Sequence, residues 1–138
     1  MTFLLLPSAW GGDLTGLWQE YDDDTGKLTA LIRIRMRPDN IYEGVVEKIF
    51  AAAAENAPAL CTRCPGERHN HPLVGLPILS GMKRKDRMHF EGGEILDPDD
   101  GKVYRCRIQF TDDNDTIQVT GYINFSWIGQ AEIWRRLK

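Results

Sequence analysis

Apolar and polar residues alternate with a period of two along most of this chain, and short stretches rich in Asp, Asn, Gly and Pro interrupt the alternation. Over residues 27–37 the pattern is clean. Leu28, Ala30, Ile32, Ile34 and Met36 fall on one face, and Arg33, Arg35 and Arg37 on the other. Successive side chains of a strand point to opposite faces, so this pattern predicts a half-buried antiparallel strand. Residues 102–110 repeat it, with Tyr104, Cys106, Ile108 and Phe110 facing one way and Arg105, Arg107 and Gln109 the other. Residues 116–123 place Ile117, Val119, Gly121 and Ile123 together. Further strands are predicted over residues 13–21, 41–50, 75–82, 87–96 and 129–137, although Gly75-Leu76-Pro77 equally suits the start of a short helix. Gly44, inside the third strand, marks a bulge or a close backbone approach. The links Asp22 to Gly26, Pro38-Asp39-Asn40, Asp97 to Gly101 and Asp112 to Asp115 carry the residues that tight turns favour. About eight strands with mostly hairpin-length links favour a single antiparallel up-and-down β-barrel over an open sheet, because closure removes unpaired edges.

One connection is long. Residues 51–73 hold an alanine run, Pro58, a Cys-x-x-Cys, Pro65-Gly66 and His69-Asn70-His71-Pro72. The alanine run suits one helical turn that Pro58 ends. A loop of this length in a compact domain is often functional, and it is expected to lie over one end of the barrel.

At 138 residues the chain makes one domain, residues 13–138, large enough for a core without metal or disulfide support. Residues 1–12 stand apart. Phe3 to Leu6 is apolar, Pro7 breaks it, and Ala9-Trp10-Gly11 sets small residues as a signal peptidase needs, so the segment reads as the tail of an export signal or else as a disordered tail. Seventeen basic and twenty acidic side chains leave a net charge of −3, which gives no footprint for nucleic acid or an anionic membrane. The run Lys83-Arg84-Lys85-Asp86 is taken as a solvated turn.

Three cysteines allow at most one intramolecular disulfide. Cys61 and Cys64 with His69 and His71 have the ligand types of a zinc site. One residue between the histidines is too few, however, where roughly three to five let both imidazoles reach one ion. A thioredoxin-like role would need a strand and a helix N-terminus around the first cysteine, and the motif sits in a proline-broken loop. The remaining choice lies between a Cys61–Cys64 bridge, which is favoured, and a bridge from either to Cys106, whose inward place on its strand suits a buried thiol. Gly92-Gly93 and the Asp97–Gly101 turn lack the calcium and phosphate patterns, and no Ser/His/Asp set is present. No catalytic residue, metal or cofactor is assigned, and an enzyme is the least favoured class. The aromatics Trp18, Tyr104, Phe110, Phe125, Trp127 and Trp134 either line a ligand cavity or fill it. The cavity candidates on the inward faces are Trp18, Ile34, Tyr104, Cys106, Ile108 and Phe110.

Gly16-Leu17-Trp18 and Ile133-Trp134-Arg135-Arg136 resemble the first and last strands of a lipocalin-like barrel. In such barrels these strands pair, and an Arg lies across a Trp ring at the closed end, where an indole face attracts a guanidinium and excludes water. Gly16, Trp18, Trp134 and Arg136 are therefore the candidate closure. An ordered set of pieces resembles the uncharacterised bacterial family DUF2147. These are Gly16-x-Trp18, Asp24-Thr25-Gly26-Lys27, Tyr42-x-Gly44, Cys61-x-x-Cys64-x-Gly66, Pro72-x-x-Gly75-Leu76 and Ile78-Leu79. Gly93-x-Ile95-x-Asp97-Pro98-x-x-Gly101-Lys102-x-Tyr104-x-Cys106, Gly121-Tyr122-Ile123 and Trp134-x-Arg136 complete it. The resemblance implies a periplasmic or secreted lipocalin-like protein that binds a small apolar or amphipathic molecule. The charge balance points to no nucleic acid partner, and the lack of a long apolar run to no membrane insertion. The alternatives are an envelope interaction module with a filled barrel and a thiol- or metal-dependent activity at residues 61–71.

Overall fold

The alternating runs become eight strands in the computed structural model, which describes residues 12–50, 60–111, 113–123 and 129–138. They are β1 (Gly16–Tyr21), β2 (Leu28–Met36), β3 (Tyr42–Ile49), β4 (Pro77–Arg84), β5 (His89–Asp97), β6 (Lys102–Phe110), β7 (Thr116–Tyr122) and β8 (Gln130–Arg136). Each pairs antiparallel with the next, and β8 returns to β1, so the sheet closes on itself as an up-and-down barrel. The turns 37–41, 85–88 and 111–115 lie at one end, with Gly12–Thr15 and the C-terminal residues. The turns 22–27 and 98–101 lie at the other, with residues 60–72 between β3 and β4.

Several expectations are corrected in detail. Residues 13–15 are not strand: Asp13 accepts the Thr15 N–H and hydroxyl, and the Leu14 carbonyl accepts the Trp18 Nε1–H at 2.8 Å. Such local bonds compete with a ladder. Gly75 opens no helix; it adopts φ +92 and donates to the Val46 carbonyl, while Leu76 accepts from the Val46 N–H. Lys83 and Arg84 belong to β4, opposite Glu91 and Phe90, so only Lys85 and Asp86 of that charged run turn the chain. Arg84 sits 4.6 Å from the Phe90 ring centroid and donates to the Gly12 carbonyl. Met36 and Ile123, placed inward by the alternation, are 45% and 57% exposed. Each lies at or beyond the end of its strand, where the pattern outruns the sheet. The alanine run falls within residues 51–59, outside the described residues.

The interior of the closed end is filled. Phe110 lies 6.4 Å from Trp18 and 6.0 Å from Phe90, which meets Tyr42 edge-on at 5.4 Å. Tilted and edge-on pairs at these distances suit the aromatic quadrupole. Ile32, Ile34, Met82, Ile108 and Ile117 complete the packing. Across the seam Trp18 pairs with Arg136, whose guanidinium lies 4.4 Å over the indole. The same guanidinium donates to the carbonyls of Thr15 (2.9 Å), Asp13 (2.8 Å) and Asn114 (2.9 Å) and to the Asp115 carboxylate (3.2 Å). Gly16, at φ +136, leaves room for it: a methyl there would lie 3.0 Å from an Arg136 Nη.

Candidate functional site

The same alternation that sends Trp18 into the base of the barrel sends Glu20 inward one step nearer the opposite end, and on β8 it sets Glu132 above Trp134. β6 contributes Tyr104 and Cys106, β7 contributes Val119 and Gly121, and β5 contributes Ile95. Gly121 has no side chain because Tyr104 lies over it; a methyl there would come 3.3 Å from Tyr104 Cβ. The inner wall is thus aromatic and buried at the base, with Glu20, Glu132 and Tyr104 half-buried toward the opposite end.

Glu132 accepts the Trp134 Nε1–H at 3.0 Å, and Trp134 is the strand partner of Glu20, so the two acids stand side by side. Desolvation holds the Glu20 carboxyl well above the usual carboxylate range, and the neighbouring charges of Glu132, Asp99 and Asp97 push the same way. Burial raises Glu132 too, against the opposing hydrogen bonds from Trp134 and Glu20. Asp97 is raised by burial, although the Asp99 N–H donates to it at 2.9 Å. Tyr104 donates its hydroxyl to Asp100, and that bond pushes its phenol up to about 12. Burial takes the Cys106 thiol to about 12, which leaves it protonated and unreactive as a nucleophile.

Residues 60–72, from the β3–β4 connection, seat on the β5–β6 turn at this end. Cys61 and Cys64 are bridged and both buried, with Cα atoms 5.4 Å apart; Cys106 is free and buried. Leu60 pairs with Pro72, and the Cys61 N–H and carbonyl bond His71 and Asn70, so residues 60–72 form a small closed loop. The Cys61 sulfur lies 3.9 Å from the Pro98 carbonyl, and Arg63 donates to the Asp99 carbonyl at 3.2 Å. Gly101 lies so close to the Arg63 backbone that a methyl would collide with it. His69 and His71 direct Nδ1 at the carbonyls of Cys64 and Pro72 rather than at a common point. Among the described residues no group of three or more His, Cys, Asp or Glu is placed to hold a metal.

Replacing both Cys61 and Cys64 by Ser is expected to lower stability by about 2 kcal/mol, the loop-entropy value for so short a ring. Denaturant melts of oxidised protein against the double variant check this, and peptide mapping of oxidised protein should recover no link to Cys106.

Of the ligand-cavity candidates, Trp18, Ile34, Ile108 and Phe110 pack against one another at the closed end. Cys106 lies midway along β6, and Tyr104 alone stands near the mouth. Phe125 and Trp127 lie outside the described residues. The acids Glu20 and Glu132 were not singled out by the sequence reading, since Glu20 leads into an acidic turn and looks like part of it. A signal existed: each stands two residues from an inward Trp on its own strand. A separate cleft of about 470 Å³ lies on the outer wall, bordered by Lys85, His89, Arg107, Gln118, Thr120 and Ala131.

An eight-stranded up-and-down barrel, closed by an Arg over a Trp at one end, defines a lipocalin-like protein. The solved structure of protein HP1028 from Helicobacter pylori, described as belonging to the lipocalin family, is similar with a TM-score of 0.74 at 18% identity, over 92% of this chain and 84% of that one. The chain belongs to DUF2147, a family of uncharacterised proteins conserved in bacteria, whose model matches residues 16–136. That span begins on Gly16 and ends on Arg136, the two residues that meet at the closed end. No curated protein matches the sequence.

Proposed function

We propose that this protein carries a small amphipathic molecule in the open half of its barrel, in the periplasm. The observation that carries the reading is the division of the inner wall: a filled aromatic base, then a zone where the half-buried Glu20, Glu132, Tyr104, Ile95 and Gly121 stand beside the buried Val119. A ligand with an apolar body and a polar end matches that division, as pockets pair apolar walls with a few polar groups. The Cys61–Cys64 bridge supports an oxidising compartment. The disulfide-closed loop, resting on the β5–β6 turn, is the cover that such a ligand would pack beneath.

Native mass spectrometry of protein recovered from the periplasm of its own host is expected to show a co-purifying small molecule as added mass. Hydrogen exchange with a fluorescent fatty-acid-like probe should then show protection rising in residues 60–72 and around Tyr104 and Cys106, because a ligand favouring the closed state shifts the population toward it. No added mass and no probe binding, with the loop protected from the start, would sink carriage and leave the filled barrel as a docking module for another envelope protein.

A further inference from the structure

β1 and β8 are joined by three residue pairs, Trp18 with Arg136, Gln19 with Arg135 and Glu20 with Trp134. Leu137 adds one bond, to the Leu17 carbonyl, at the base. The β7–β8 ladder continues for six pairs, up to Gly121 with Gln130. The closing seam is therefore anchored at the base and forks at Glu20, below the mouth. Glu20 and Glu132 stand at the fork, one on each strand: Trp134 pairs with Glu20, and its Nε1–H holds the Glu132 carboxylate at 3.0 Å, so the two acids stand side by side where backbone pairing stops. Two such carboxyl groups can hydrogen-bond to each other only with a proton between them.

The ionisable groups acting most strongly on the pair are acids: Asp23 from the β1–β2 turn, and Asp97 and Asp99 from the β5–β6 turn. The Cys106 thiol on β6 also feels the charge of Glu132. Opposite Glu20 on β2 is Ala30, and opposite Glu132 on β7 is Val119, so neither neighbouring strand brings a charge. Against these, the Trp134 N–H donates to Glu132 and favours its ionised form, as does a proton held by Glu20.

We propose that Glu20 and Glu132 form a one-proton clasp across the β1–β8 seam, and that loss of the proton parts the two strands at the mouth of the barrel. With both carboxylates ionised, two like charges stand side by side in a half-buried setting, and separation of the strands hydrates both. The closed seam binds the proton more tightly than the parted one. Closure is therefore fully supported below the ordinary glutamate value of 4.5 and weakens as pH rises through the higher value of the closed state. The device belongs to the barrel itself and stands or falls apart from ligand carriage.

Hydrogen exchange of ligand-free protein across pH 4.5 to 8, corrected for intrinsic exchange rates, tests it. Amides of residues 19–21 and 132–135 are expected to lose protection by about tenfold or more as pH rises, because strand pairing is linked to the bound proton. The β5–β6 ladder should hold its protection. Glu20→Gln keeps a donor for Glu132 without a titrating proton, and should flatten the seam's pH profile. An unchanged profile in Glu20→Gln, or an equal loss in β5–β6, would overturn the clasp. Carbon-13 titration of the wild-type carboxyls gives an independent check should the variant not fold: Glu20 and Glu132 titrating separately at ordinary values would also overturn it.

Discussion

Trp18→Ala should destabilise the barrel by about 3–5 kcal/mol, the range for deleting a buried aromatic side chain. The indole is wholly buried, touches Phe110, and lies under Arg136. Its Nε1–H also ties down Leu14, so its loss frees the segment that closes the base. Arg136→Ala should cost about 2 kcal/mol or more, since it strands the carbonyls of Asp13, Thr15 and Asn114 that now accept charge-assisted bonds. The double variant is expected to lose less than the sum, by about 1 kcal/mol, because the guanidinium over the indole is counted in both single losses. Denaturant melts of the three variants at one temperature decide it. Strict additivity would mean that the stacking contributes nothing and that Arg136 acts only through its hydrogen bonds.

Gly93→Ala is expected to remove about 3 kcal/mol, the upper end for forcing extra volume into a packed site. Gly93 is buried on β5 opposite Cys106, and its backbone conformation is one any residue adopts. The penalty is therefore steric: a methyl would run into the Ser80 carbonyl and the Met82 sulfur on β4, and lie 2.8 Å from the Met82 nitrogen. Relief would require β4 and β5 to separate. Gly26→Ala is the contrast, because Gly26 has open space around it and only its φ of +74 resists a side chain. That change should cost about 1 kcal/mol. Thermal melts that put both variants within about 0.5 kcal/mol of each other would refute the close approach of β4 and β5.

Much of this fold was legible because period-two runs bounded by turn residues say both where strands lie and which face is inward. β6 was readable to the residue, since Asp97 to Gly101 and Asp112 to Asp115 bracket it. What the alternation lacks is depth and partnership. It puts Ile34 and Ile108 on inward faces, but not at the packed base rather than beside a ligand. It cannot show that Arg84 is drawn onto Phe90 and the Gly12 carbonyl, because the contact with Gly12 spans 72 residues and a charged triplet looks locally like a turn. Glu20 and Glu132 shared their faces with Trp18 and Trp134 in plain view. Their encounter depends on which two strands close the barrel, and so does the clasp.

The Arg136 bonds to Asp13 and Thr15 span 123 and 121 residues. Synthesis runs from N- to C-terminus, so Trp18 waits uncovered until β8, the last of the eight strands, emerges. Contacts of such long sequence separation slow folding, because loop closure precedes any reward from pairing. Throughout that interval β1 presents a free edge and an unshielded indole, the features that draw a nascent chain into misassociation or onto a chaperone. Moving β8 ahead of β1 by circular permutation through the 123–129 connection would make the seam a local hairpin. That rearranged chain should fold faster than the natural one while keeping the same barrel.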